Sequence, residues 1–299
     1  MESRILPRIL IVHPGALGDV LQAVPALRGL RAPGRLTFAG QPRLGRLLVA
    51  LGVADESRAF DGLGLEALFT DAPAPPTVTA FLGAFTRVVS WFGSRDATYR
   101  ARLAALVGDP VVAPPVPDDD TPVWRHLVAT LGADARPGAP AVAPIRLDAP
   151  PSGSPGLLVH PGSGGAWKQW PAERFAEVIA TVTARHALAV TVHEGPADRA
   201  AVEALLARLD RPVERLVEPE LPALAVALAG SRAYLGGDSG ISHLAAAVGA
   251  PSVILFPPAH LPRWTPWSPA ARPVAMTGGG DEVQRVVAEL ERALSSASR

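Results

Sequence analysis

The sequence predicts an α/β protein of two domains, each with a parallel sheet, facing each other across a cleft, and three observations carry that prediction. Short apolar runs alternate with segments of helical period through most of the 299 residues, the pattern of strands covered on both faces by helices. The alternation breaks over residues 110–155, where eleven prolines surround one amphipathic segment, 123–131; this reads as a linker with a helix in it. After the linker the chain restarts as it began: ILIVHPGALGD and GLLVHPGSGGAWK each run apolar strand, His-Pro-Gly, small residues, helix. Domains are therefore expected over 1–150 and 151–299.

Composition fits two such cores. The chain is 48% hydrophobic with only 5% aromatic residues, 28 Gly and 32 Pro, which speaks against bulk disorder. Acids and bases balance at 28 each, so long-range attraction to nucleic acid is not expected. Cysteine is absent, which excludes disulfides and thiolate-bound zinc and fits a reducing compartment. The short polar start, 1–8, lacks the features of a signal peptide, and no run of about eighteen uncharged apolar residues suggests a membrane span. The expected location is cytoplasmic, with contact at a membrane face left open.

Taken in order, residues 8–13 read as a buried strand and 18–31 as one helix with Val20, Leu21, Val24, Leu27 and Leu30 on its apolar face. A strand is expected over 36–39, a helix over 43–51, short helices flanking a turn over 61–86, a strand over 88–92 and a helix over 97–107. In the second half strands are expected at 157–159, 188–193, 213–217, 233–236 and 252–256. They alternate with helices at 196–209, 221–229, 239–248 and 281–297 and with one opened by Pro171 as its first residue.

Ligands of open α/β sheets bind beyond the carboxyl ends of strands, which directs attention to three loops. In 156–171, Gly162, Gly164 and Gly165 let backbone N–H groups face outward at the mouth of a helix whose dipole favours an anion. Lys168 in this loop is the single lysine of the chain, against 27 arginines, a compact ammonium in a place shaped for phosphate. The turn Gly236-Gly237-Asp238-Ser239-Gly240-Ile241-Ser242-His243 offers a second set of amides, the Ser239 hydroxyl and His243 one turn on; Asp238 or Ser239 can equally be a plain helix cap. In the first loop Asp19, with Gly15 and Gly18 before it, is either a helix-start carboxylate or a general base for an acceptor hydroxyl. Glu194 and Asp198 follow a strand, where acidic residues bind ribose in dinucleotide folds. Trp91, Arg95 and Tyr99, beyond the strand at 88–92, suit a sugar-like acceptor or simple packing. No Walker loop, GxGxxG or HExxH-like spacing occurs, no metal site is expected, and Asp118-Asp119-Asp120 among the prolines reads as a solvated turn.

Together ALGDVLQAVPALRGLR (16–31), HPGSGGAWKQWPAERFAEVI (160–179) and GGDSGISHLAAAVGAPSVILF (236–256) resemble glycosyltransferase family 9, the ADP-heptose:lipopolysaccharide heptosyltransferases and their relatives. The resemblance implies a GT-B fold: an acceptor-binding Rossmann-like domain, a nucleotide-sugar-binding one, and a last helix returning to the first domain. It implies inverting, metal-independent transfer of heptose or a related sugar from a nucleotide-diphosphate donor, ADP-linked, to a saccharide or glycolipid of the cell envelope, with no cofactor. Carried over, Asp19 matches the catalytic base. Ser163, Gly164, Lys168, Asp238, Ser239, Gly240 and His243 match the diphosphate site, and Asp198, near Glu194, falls at the nucleoside or sugar. The alternatives on the same fold are a nucleotide-sugar epimerase or hydrolase and a non-catalytic sugar-nucleotide-binding protein.

Overall fold

A computed structural model describes residues 7–30, 34–108, 110–132, 135, 139–147 and 156–296. The first six residues and the 148–155 part of the expected linker lie outside them. The chain divides into two compact units, Met1–Ala141 and Val142–Arg299.

In the first unit β1 (Arg8–Val12) is followed by α1 (Leu17–Gln22), α2 (Val24–Leu30), β2 (Arg35–Gly40), α3 (Pro42–Ala50) and β3 (Glu56–Ala59). Then come two 3-10 turns, α4 (Pro76–Gly83), β4 (Arg87–Ser90), α5 (Ala97–Val107), β5 (Val111–Val112) and α6 (Val123–Ala129), with α7 (Ala139–Val142) at the junction. The five strands are parallel in the order β3-β2-β1-β4-β5. The single helix expected over 18–31 is two, separated at Ala23. Pro25 is the physical reason: it has no N–H to give the carbonyl four residues back. Polar β3 and two-residue β5 are sheet edges without the apolar run that would announce them. On one face Leu10 and Val12 of β1 and Val88 of β4 pack with Leu82 of α4 and Tyr99 and Leu103 of α5.

The second unit runs β6 (Leu157–His160), α8 (Ala172–Arg185), β7 (Val190–Glu194), α9 (Arg199–Leu206), β8 (Glu214–Val217), α10 (Leu221–Ala229) and β9 (Ala233–Gly237). It continues with α11 (Gly240–Ala247), β10 (Ser252–Phe256), α12 (Leu261–Trp264), β11 (Ala271–Ala275) and α13 (Glu282–Ser296). Six parallel strands lie in the order β11-β10-β9-β6-β7-β8. Counted from β6 this is the Rossmann order, with the first strand between the second and the fourth. Pro171 caps α8 in an extended conformation (φ −56, ψ 135) and is not its first residue.

The last helix, α13, packs into the core of its own unit. Val286, Leu290 and Leu294 form a stripe at helical spacing that is buried with Phe175, Ile179 and Val182 of α8 in the core of the second unit. Glu282 fixes its start: the buried carboxylate accepts from Trp170 Nε1 at 2.7 Å, from the amides of Thr277 at 2.6 Å and Gly278 at 3.0 Å, and pairs with Arg174.

Candidate active site

Each sheet has one place where the chain leaves neighbouring strands in opposite directions, and there the loops part to leave a crevice. In the first unit it lies between β1 and β4, at the loops His13–Asp19 and Trp91–Asp96. A cavity of about 690 Å³ opens here, lined by His13, Gly15, Asp19, Phe69, Trp91 and Arg95 among others. Buried His13 has its pKa pushed down to about 4 by that burial, which keeps it neutral at pH 7. The Gly15 N–H donates to His13 Nδ1 at 3.3 Å. A Cβ on Gly15 would stand 2.7 Å from His13 Cε1 and 3.0 Å from Asp19 Oδ2, so only glycine lets the backbone pass between those side chains. Asp19 sits in the first turn of α1, and its Oδ2 accepts from the Ala16 N–H at 2.9 Å. It is thus a helix-start carboxylate and a wall of the cavity at once.

Among the acceptor-side candidates Gly15, Trp91 and Arg95 line this cavity. Trp91 is buried, donates from Nε1 to Thr130 Oγ1 at 3.0 Å and stands edge-on to His13. Tyr99 corrects the expectation: its side chain is fully buried, its hydroxyl shares a 2.9 Å hydrogen bond with Ser90, and it packs against Phe69 and Phe92. Gly18 lies within α1 and is not part of the lining. Sequence reasoning misses Phe69 and Phe92, which do line the cavity; in a chain with few aromatics their clustering is the available signal.

In the second unit the corresponding place lies between β6 and β9, at the loop after His160 and the turn at Gly237–Ser239. Lys168 Nζ lies 2.9 Å from Asp238 Oδ2, and His260 Nδ1 lies 2.8 Å from the same oxygen. The single ammonium therefore has a buried carboxylate beside it, a partner its loop sequence does not reveal. Ser163 Oγ donates to the Gly165 carbonyl at 2.8 Å, which folds the loop on itself, and exposed Gly164 has open space where a Cβ would be. Ser239 caps α11, accepting from the Ser242 N–H at 3.3 Å, and Gly240 is the first helical residue. His243, one turn on, is buried near Phe256 and Trp264 with its pKa pushed down to about 4 by burial, a neutral imidazole.

Glu194 and Asp198 have separate surroundings. The buried Glu194 carboxylate pairs with Arg215 of β8. Asp198, just before α9, accepts from the Gly195 N–H at 3.0 Å and lies 3.9 Å from His160 Nε2. Burial raises its pKa above the usual carboxylate value. A Cβ on Gly162 would overlap the Asp198 carboxylate, so the loop and the acid fit together only through that glycine. His160, His193 and Asp198 gather ligand-type atoms within 4.8 Å. Yet His160 and His193 meet Nδ1 to Nδ1 at 3.0 Å, which places one proton between them. Two imidazoles ligating through Nε2 would each need a proton on Nδ1, so the arrangement is a hydrogen-bonded histidine pair beside Asp198 and not a ready cation cage. Burial brings both histidines down to about 4.

Comparison with known proteins identifies the family. The model of glycosyltransferase family 9 (heptosyltransferase) matches residues 131–288. A search of curated protein sequences gives no match. A family 9 glycosyl transferase from Veillonella parvula DSM 2008 superposes with a TM-score of 0.73 at 17% identity, covering 97% of each chain. E. coli ADP-heptose LPS heptosyltransferase II superposes at 0.72 and 18% identity, covering 98% of this chain and 100% of that one. E. coli heptosyltransferase WaaC with ADP gives 0.67 at 18% identity over 97% and 99%. Among the described residues no helix is long and apolar enough to cross a membrane. With two Rossmann-like parallel sheets of the GT-B class and a family match spanning more than half its length, the chain belongs to glycosyltransferase family 9 and is a glycosyltransferase.

Proposed function

We propose that the enzyme moves a sugar, heptose or a close relative, from an ADP-linked donor to a saccharide or glycolipid of the cell envelope, with inversion, without a metal, and in the cytoplasm. The observation that carries this reading is the opposite charge of the two switch-point loops: Asp19 beside an aromatic-walled cavity in one unit, Lys168 among glycines and helix-start amides in the other. A solved structure of the same fold, E. coli heptosyltransferase WaaC with ADP-2-deoxy-2-fluoro heptose, supports an ADP-linked donor.

In this mechanism the acceptor hydroxyl attacks the anomeric carbon as Asp19 takes its proton. The new C–O bond forms on the face opposite the breaking bond to phosphate, and the departing diphosphate keeps the electron pair. Lys168 and the amides of the loop at 163–165 and of the turn at 239–240 stabilise that growing charge, which is the work a metal does elsewhere. Asp198, on the β7 side, takes the nucleoside, and Trp91 and Arg95 help shape the acceptor cavity. A glycolipid acceptor would bring the enzyme to the inner membrane face.

Calorimetry of Lys168→Ala against ADP tests the donor half. Removing a charge-assisted hydrogen bond to phosphate should weaken ADP binding by about tenfold or more. Wild-type affinity in the variant would sink the phosphate assignment.

A further inference from the structure

Trp167 is the most exposed large hydrophobic side chain among the described residues, at 64%. It precedes Lys168 in the loop that the donor reading assigns to the diphosphate. Its ring stands edge-on to His260 with centroids 4.8 Å apart, and Lys168 Nζ lies 5.3 Å from its centroid. Gly165 makes room for it, since a Cβ there would come within 3.1 Å of Trp167 Nε1. His260 in turn bonds Asp238 through Nδ1. Three segments, the loops after β6, β9 and β10, thus converge on one carboxylate, with an indole standing beside them in solvent. What distinguishes this tryptophan from a surface residue scattered singly is its place, a broad rigid ring set beside the ammonium and the carboxylate cluster of the candidate site.

Strand order indicates which part of a donor would meet it. β7 lies on one side of β6, while β9 and β10 lie on the other. With the diphosphate over the β6 loop and the nucleoside towards Asp198 after β7, the transferred sugar must extend over β9 and β10, where Asp238, His260 and Trp167 stand. We infer that Trp167 and His260 form the recognition site for the transferred sugar: the indole covers the apolar face of a pyranose, and His260 holds Asp238 so that a hydroxyl can donate to its carboxylate. Lys168 and His260 both engage Oδ2, which leaves the second oxygen for that hydroxyl. A buried carboxylate at this point also selects an uncharged sugar over a uronic acid, since a like charge would be repelled. This inference rests on the donor reading above.

The test compares ADP with ADP-heptose by calorimetry on the full chain. The quantity read is the ratio of the two affinities, which cancels everything the diphosphate contributes. Trp167→Ala and His260→Ala should each lower that ratio by about tenfold, the scale of one stacked ring or one ordered polar contact, and Trp167→Phe should restore most of it. Because the indole is exposed, the melting temperature of Trp167→Ala should stay at the wild-type value and show that the fold is intact. Ratios unmoved in both alanine variants would overturn the inference while leaving the donor site standing. A wild-type chain that binds neither ligand would overturn the donor reading, and this inference with it.

Discussion

The two His-Pro-Gly loops begin alike and are put to different use. His13 directly follows one buried strand and His160 ends another, and burial holds both near a pKa of 4. From there the surroundings diverge. In the first unit Phe69, Phe92 and Trp91 stand over the loop, and its charged residue is a carboxylate tied back to its own helix start. In the second unit the neighbouring strand ends supply His193, Asp198, Asp238 and His260, and the charged residue is an ammonium already facing a carboxylate. One backbone scaffold thus serves a cavity with an apolar wall in one unit and a dense polar cluster in the other. The loop sets where a ligand meets the backbone; the ends of adjacent strands set what the ligand must be.

The largest effect that would break this contrast concerns Asp19. As a general base it should be worth about 10²–10⁴ in turnover, so Asp19→Asn should lose that much kcat while ADP affinity stays at the wild-type value. The structure makes the asparagine variant informative, because an amide oxygen can still accept from the Ala16 N–H and keep the helix start in place. Turnover within a few-fold of wild type would reduce Asp19 to a cap and remove the functional difference between the loops.

A smaller effect separates two glycines of the second loop. Gly162 is pressed against Asp198, whereas nothing lies within 4 Å of a Cβ built on Gly164. Gly162→Ala should cost about 1–3 kcal/mol in chemical denaturation, the usual cost of overpacking. Gly164→Ala should stay within about 0.5 kcal/mol of wild type. Equal losses would mean that the loop needs glycine for backbone freedom throughout, and the fit of Asp198 against Gly162 would lose its significance.

Which parts are legible in the sequence follows from the same contrast. Asp19, Lys168 and the Gly236–His243 turn stand out because loop, charge and helix start are contiguous in the chain. Lys168 has its partner Asp238 seventy residues on, and His260 reaches that carboxylate from a third loop; only strand order brings them together. Tyr99 misleads because the polar tip of a tyrosine looks the same in sequence whether it meets a ligand or Ser90. For α13 the apolar stripe shows that the helix packs, and only the fold shows that α8 is a partner. The split of α1 from α2 is legible in Pro25.

The mildest test uses pH. For His13, His160, His193 and His243 the folded state holds a pKa near 4, against about 6.5 in an unfolded chain. Between those values the unfolded chain binds protons that the folded one refuses, so stability falls as pH drops from about 6.5 towards 4 and is level above. Each histidine adds at most about 1.4 kcal/mol per pH unit in that window. Carboxylates such as Glu282, whose net shift is downward, lose their contribution only below the ordinary carboxylate range, and Asp198, whose pKa burial raises, acts in the opposite direction, so a fall in melting temperature from pH 6.5 to 5 reports the imidazoles. His13→Gln and His160→Gln should each flatten the slope by one histidine's share. His160→Gln should also lower the plateau more, because it leaves His193 without its Nδ1 partner, whereas His13 gives up only a 3.3 Å bond from Gly15. A melting temperature that does not move between pH 6.5 and 5 would show that these imidazoles are not held neutral by burial, and the likeness from which the two loops diverge would be lost.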